Sequence, residues 1–189
     1  MTSEITIVSG IPRSGTSLMM KMLDAGGMPI VTDHIRKADI DNPEGYYEFE
    51  KVKKIRQDIS WLKDTRGKAF KMVSMLLLDL PPGETYKIIF MERTLTEVIA
   101  SQNRMLERKK IPSDSNDSDT AHMFEIHLKK VRQWIASQKN ISFISINYNK
   151  LISSPDDEIA RVAEFLGVPL DKNKMARAVN PDLYRNRAG

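Results

Sequence analysis

The chain has 189 residues, 41% hydrophobic and 29% charged, with 29 basic against 25 acidic side chains for a net charge of +4. Such a chain buries roughly 70% of the surface it exposes when unfolded, so a single self-sufficient domain over residues 1–189 is expected, and composition excludes a disordered or membrane-embedded protein. The pI near 9.2 suits an anionic small ligand. It does not point to nucleic acid, because the one basic cluster, Arg104 to Lys110, reads as a solvated helix face beside an acidic stretch.

There is no cysteine, which excludes disulfides, thiolate metal sites and cysteine nucleophiles. Of the three histidines, His34, His122 and His127, the last two stand five apart on a predicted helix and do not share a face, so no histidine-built zinc site is expected. The first residues carry no basic stretch ahead of an apolar one, unlike a signal peptide. The apolar run Met72 to Leu80 is broken by Ser74 and Asp79 and falls far short of the ~20 residues of a membrane span. A soluble, cytoplasmic protein with no membrane partner is expected.

In chain order, Ile5, Ile7 and Val8 predict a buried strand ending at Gly10. Gly10 to Ser17 is a loop, after which Leu18, Met19, Met22 and Leu23 recur at helical spacing until Gly26-Gly27. Met28 to Gly45 is polar and turn-rich. Tyr46 to Trp61 is expected to be mostly helical, with Phe49, Val52, Ile55 and Ile59 as its apolar face. Ala69 to Ser74 predicts a strand, followed by a short apolar turn and a Pro81-Pro82-Gly83 break. Tyr86 to Met91 predicts an interior strand and Leu95 to Lys110 a helix. Ser113 to Asp119, rich in Ser, Asp and Asn, predicts a mobile loop. A helix over Ala121–Gln138, a strand over Ile141–Ile146 and an amphipathic helix over Pro155–Leu166 complete the series. Strands alternating with helices predict an α/β, P-loop-type three-layer domain with a mostly parallel central sheet of about four or five strands flanked by helices.

Strand, glycine loop and helix together build a phosphate cradle. The frame Gly10-Ile-Pro12-Arg13-Ser14-Gly15-Thr16-Ser17 converges backbone N–H groups on an anion, and the following helix adds its positive end. In loops that hold ATP or GTP, lysine follows the second glycine; here Thr16 does, and the charge sits inside the loop at Arg13. A loop of this kind suits one terminal phosphate joined to a transferable group, with Arg13 near the bridging oxygen.

These residues resemble the PAPS-dependent sulfotransferases, whose 5′-phosphosulfate loop reads Pro-(Lys/Arg)-Ser-Gly-Thr-(Ser/Thr) and is matched by Pro12 to Ser17. The continuation Leu18 to Ala25 is similar to the tyrosylprotein branch and its bacterial relatives. Ile88 to Arg93 followed by Ser101 resembles the family's strand-end arginine and its serine eight residues later, a pair that implies a grip on the 3′-phosphate of 3′-phosphoadenosine 5′-phosphosulfate (PAPS) and of its product PAP. Asn147-Tyr148-Asn149-Lys150-Leu151 and Ala163 to Pro169 are similar to the family's C-terminal segment, although Asn149-Lys150 stands where the family has Glu-Asp.

The resemblance implies a sulfotransferase that moves a sulfuryl group to a hydroxyl or amine of a small-molecule or peptide acceptor. It implies cofactor binding by Pro12, Arg13, Ser14, Gly15, Thr16, Ser17, Arg93 and Ser101, with Arg13 and Lys71 stabilising charge. The base stays open. The branch's glutamate position falls on His34, beside Asp33, while Glu48 stands in an Asn-Pro-x-Gly-Tyr setting seen near the cleft of bacterial members. The basic tail from Pro181 to Arg187 is a candidate cover for the 3′-phosphate. Two other readings remain: a P-loop kinase, with Met75 to Asp79 as a strand ending in a magnesium-binding aspartate, and a PAP-binding module without turnover. The segments 28–45 and 113–119 are expected to wall the acceptor pocket, and their polarity disfavours flat hydrophobic acceptors.

Overall fold

The computed structural model describes residues 3–33, 35, 45–112 and 116–179. Ile5–Gly10 forms β1, and every one of its side chains is buried, as a strand covered on both faces requires. It is followed by α1 (Thr16–Ala25), β2 (Ala69–Val73), β3 (Tyr86–Glu92), α2 (Leu95–Arg108), α3 (Asp117–Ser137), β4 (Ile141–Asn147), α4 (Tyr148–Ser153), α5 (Pro155–Leu166) and α6 (Lys172–Ala178). Three short 3-10 segments stand between them, at Glu50–Lys54, Leu62–Thr65 and Ser74–Asp79.

The sheet has four strands, all parallel, in the order β2-β1-β3-β4. This is the α/β architecture expected from the alternation of strands and helices. Side chains alternate between two apolar layers. Val8, Ile89, Met91 and Ile146 meet Met19, Met22 and Leu23 of α1 and the helices that follow β4. On the opposite face Ile5, Ile7, Phe70, Met72, Ile88 and Phe90 meet Val131 and Ile135 of α3 and the 3-10 segments, with Trp61 edge-on to Phe70 at 5.6 Å between ring centroids.

Two expectations need correction, and the kinase reading loses its strand. Residues 46–61 are not mostly helical: Phe49 is extended, and only Glu50–Lys54 makes a 3-10 turn. Their main-chain acceptors are engaged elsewhere. The Tyr46 carbonyl accepts from Lys71 Nζ and Ser17 Oγ, and the Glu48 carbonyl accepts from Thr32 Oγ1 (2.9 Å) and the Asp33 amide (3.1 Å). A helix would need those same oxygens. Val52 and Ile55 still turn inward, but Ile59 is exposed.

The stretch 113–119 is not wholly loop. Asn116 accepts from the Ser118 amide (3.0 Å) and caps α3, whose first turn holds Asp117 and Asp119. Polar residues that read as a loop are a helix start; residues 113–115 lie outside the described residues. Met75 to Asp79 is a 3-10 turn rather than a sheet strand, and Asp79 pairs with Arg56 Nε at 2.8 Å. The magnesium-binding strand of the kinase reading is therefore absent from this position. Two helices escaped the sequence reading, α4 and α6, although each begins at a side-chain cap, Asn147 to the Lys150 amide and Asp171 to the Lys174 amide, both at 3.0 Å. Among the described residues no helix is long and apolar enough to cross a membrane.

Helix α5 ends at Gly167, with φ +65° and no neighbour that would obstruct an added methyl group. The left-handed conformation alone penalises another residue there, by about 1 kcal/mol. Gly167→Ala is expected to lower the melting temperature by about 2–4 °C while leaving nucleotide binding unchanged, as calorimetric melting and titration would show.

Candidate active site

The loop after β1, Arg93 after β3 and Tyr148 after β4 stand at the carboxyl ends of the strands, where open parallel sheets bind ligands. The loop leaves β1 at Gly10, which lies level with Val73 at the end of β2. A methyl on Gly10 would come within 2.4 Å of Ser14 Oγ and 2.7 Å of the Met91 carbonyl, so the loop folds back tightly over the strand ends. Gly15 has φ +100°, and a methyl there would strike the Tyr148 ring at 2.3 Å. Both glycines are needed where they stand. Helix α1 begins next, and no side chain caps its N-terminus, which leaves amide donors turned toward the loop.

Arg13 is one of the few non-glycine residues with positive φ, +69°, a conformation that costs of order 1 kcal/mol and requires outside support. Its Nε donates to Ser101 Oγ at 3.0 Å, and its carbonyl accepts from Arg93 Nη1 at 3.3 Å. The loop arginine thus touches both members of the predicted 3′-phosphate pair. Ser14 is fully buried, and its hydroxyl is one of the few buried polar atoms without a partner among the described residues. A buried hydroxyl in that condition is destabilising unless a ligand or water meets it.

Arg93, just past the end of β3, is buried. Its side chain is 7% exposed, its Nε donates to Glu97 Oε2 at 2.9 Å, and its guanidinium lies 4.4 Å from the centroid of the Tyr148 ring. Glu97, on the first turn of α2 and 2% exposed, also accepts from Asn149 Nδ2 at 2.9 Å. Tyr148 is therefore packed between the loop glycine and the arginine. Asn149, which departs from the family pattern, holds the arginine's partner.

Lys71 points into the same region from β2. Its Nζ donates to the Tyr46 carbonyl and to Ser17 Oγ (3.3 Å), and it sits 5.9 Å from the Tyr46 ring centroid. Pro12 is exposed on the loop's outer side, while Thr16 and Ser17 open α1. Glu48 lies two residues beyond Tyr46, whose carbonyl accepts from Lys71. Asp33 is less suited to act as a base. Burial opposes its charge, but the Glu50, Ile35 and own amides, aided by Lys53, together hold its carboxyl below the ordinary range. One of its oxygens accepts from the Glu50 amide at 2.6 Å. His34 and the basic tail 181–187 lie outside the described residues.

A cavity of about 200 Å³ between Glu4, Lys87 and Pro169 is at the opposite, amino-terminal end of the strands. Its lysine is already engaged by Glu4 (3.1 Å) and the Leu166 carbonyl (2.9 Å). It is not part of this site.

Residues 4–182 match the model of the sulfotransferase domain family. The chain belongs to that family. A putative protein-tyrosine sulfotransferase of Caenorhabditis briggsae is 27% identical over 187 residues, covering 86% of this chain and 65% of the relative, so the chain spans just under two thirds of that protein's length. Two solved sulfotransferases share the fold. The mouse enzyme SULT7A1, complexed with PAP, has a TM-score of 0.57 at 15% identity and covers all of this chain and 68% of its own. STF9 from Mycobacterium avium has a TM-score of 0.55 at 13% identity, with 99% and 69% covered.

Glu97 carries no motif in the sequence, and its role as the partner of Arg93 emerges only from the fold. Removing it strands a buried guanidinium, a loss of about 3–5 kcal/mol. Removing only Asn149 deletes one hydrogen bond to a charged group, about 2 kcal/mol. Urea denaturation of Glu97→Ala and Asn149→Ala is expected to rank them in that order; equal small losses would mean that Arg93 reaches solvent once released.

Proposed function

We propose that this sulfotransferase-family protein transfers a sulfuryl group from PAPS to a hydroxyl or amine acceptor. The observation that carries the reading is the meeting of Arg13, Ser101 and Arg93 at one loop, from elements 80 and 88 residues apart in the chain. Two guanidinium groups and a serine beside a glycine loop match a ligand with phosphate at two places rather than a single polyphosphate chain. The Ser14 hydroxyl and the start of α1, neither met by a side chain among the described residues, fit such an anion as well.

PAPS supplies an activated sulfuryl group whose bond to the 5′-phosphate is the one that breaks. The chain's part is to hold and to neutralise. Ser14, Gly15, Thr16 and Ser17 cradle the 5′ end with amide and hydroxyl donors, and Arg93 with Ser101 holds the 3′-phosphate. Arg13 and Lys71 supply positive charge where the departing phosphate gathers it, a preorganised arrangement that acts in the transition state more than in the ground state. Arg93 is fixed before ligand arrives by Glu97 and the Tyr148 ring, so little ordering remains to be done on binding.

The 27%-identical relative, described as a protein-tyrosine sulfotransferase, supports a hydroxyl acceptor. A small-molecule or a peptide acceptor fits this reading.

Isothermal titration is expected to show PAP binding at micromolar affinity or tighter. Arg93→Ala, checked for native circular dichroism, should weaken it at least tenfold, the worth of a charged phosphate contact. Heat from ATP with magnesium, and none from PAP, would reject the reading.

A further inference from the structure

Arg93 does not face its ligand as a bare cation. Two acidic residues are buried among the described residues, Glu97 and Glu158. Glu158 on α5 meets Arg161, whose side chain is 49% exposed, whereas Glu97 meets an arginine whose side chain is itself buried. Both oxygens of Glu97 accept, Oε2 from Arg93 Nε and Oε1 from Asn149 Nδ2, each at 2.9 Å, which is the bonding of an ionised carboxylate. Negative and positive charge therefore stand side by side out of water, next to the loop that Arg93 reaches through Nη1 and the Arg13 carbonyl. The family's C-terminal pattern has glutamate at the place of Asn149, so in this chain a neutral amide meets Glu97.

We infer that Glu97 limits the grip of Arg93 on the 3′-phosphate, so that PAP can leave after transfer. This rests on the sulfuryl-transfer reading above. A guanidinium carries five N–H donors and Glu97 is bonded at Nε, so a carboxylate and a phosphate can share it. The two anions then share one positive charge. Their mutual repulsion, strong where water is excluded, offsets part of the attraction between Arg93 and the phosphate. Glu97 touches no substrate atom in this arrangement. It is a positioning residue that acts through Arg93, and its charge rather than its shape sets the limit.

The chemistry of the transfer gives such a limit its use. Arg13, Lys71 and Arg93 are all assigned to one small anionic ligand. The electron pair of the broken sulfur–oxygen bond stays on the 5′-phosphate, which ends with more negative charge than it had in PAPS. The cations that stabilise the departing phosphate therefore also hold the product. The 3′-phosphate takes no part in the reaction, so affinity lost there lowers the hold on substrate and product alike and leaves the chemical step of the bound complex unchanged. A carboxylate beside Arg93, rather than beside Arg13 or Lys71, weakens the ligand at the end where weakening does not slow the chemistry.

The test is isothermal titration of the whole chain with PAP and with adenosine 5′-phosphate, which lacks the 3′-phosphate. Glu97→Gln keeps an oxygen for Arg93 Nε, and the Asn149 amide can turn over to accept from the new amide group. The guanidinium then has no countercharge from this position until a phosphate brings one. Glu97→Gln is expected to bind PAP about tenfold more tightly and to release it more slowly by about the same factor. Affinity for adenosine 5′-phosphate should change less than about threefold. Asn149→Asp, which adds a carboxylate to the group, is expected to weaken PAP binding about tenfold, and it carries the test if Glu97→Gln lacks native circular dichroism. A purely structural part for Glu97 predicts unchanged or weaker PAP binding in Glu97→Gln, and that result would overturn the inference. So would equal tightening of both nucleotides, or an Asn149→Asp variant with wild-type affinity. A wild-type chain that takes up no PAP would overturn the sulfuryl-transfer reading itself.

Discussion

The buried pair between Arg93 and Glu97 is the interaction on which the site depends. Taking two charges out of water costs several kcal/mol each, and their attraction offsets this only when the geometry is good and the remaining donors and acceptors are satisfied. Here Glu97 receives both Arg93 and Asn149, while Arg93 also reaches the Arg13 carbonyl and lies against Tyr148. One ion pair therefore joins the end of β3, the first turn of α2, the phosphate loop and the start of α4. Its contribution is direction rather than net stability. A guanidinium on a solvated stem would sample many rotamers, whereas this one is held with one edge toward the loop.

The loop itself is held under mild strain. Arg13 sits in the left-handed region, Gly15 admits the Tyr148 ring where no other residue could, and the Ser14 hydroxyl is buried without a partner among the described residues. Each is unfavourable alone, and each is tolerated because the surrounding contacts over-determine the loop. A segment that folded only for stability would relieve them. Their concentration within three consecutive residues is what a preorganised anion site looks like.

Opposite the loop, the chain trades helix for contact. The carbonyls of Tyr46 and Glu48 serve Lys71, Ser17, Thr32 and Asp33 instead of a helical ladder, so a sequence with a helical apolar period passes the lysine without forming a helix. Propensity is worth tenths of a kcal/mol per residue and is readily overridden by such bonds. The converse holds at Asn116, where residues of low helix propensity start α3 because one side chain satisfies an orphan amide.

The sequence by itself determined β1, the glycine loop and α1, the alternation that makes an α/β sheet, and the candidacy of Arg13, Lys71, Arg93 and Ser101. The strand, loop, helix and Arg13 rest on local features, namely β-branched runs, glycine spacing and helical period; Lys71, Arg93 and Ser101 became candidates through the family resemblance. It did not reveal that Tyr148 closes on Gly15, that Asn149 supports Glu97 from 52 residues away, or that Ser74 meets His127 across 53. Those contacts depend on the strand order β2-β1-β3-β4 and on which face each helix covers. Side chains far apart in the chain become neighbours only when four parallel strands end on one edge, and no local pattern records which residues that edge will bring together.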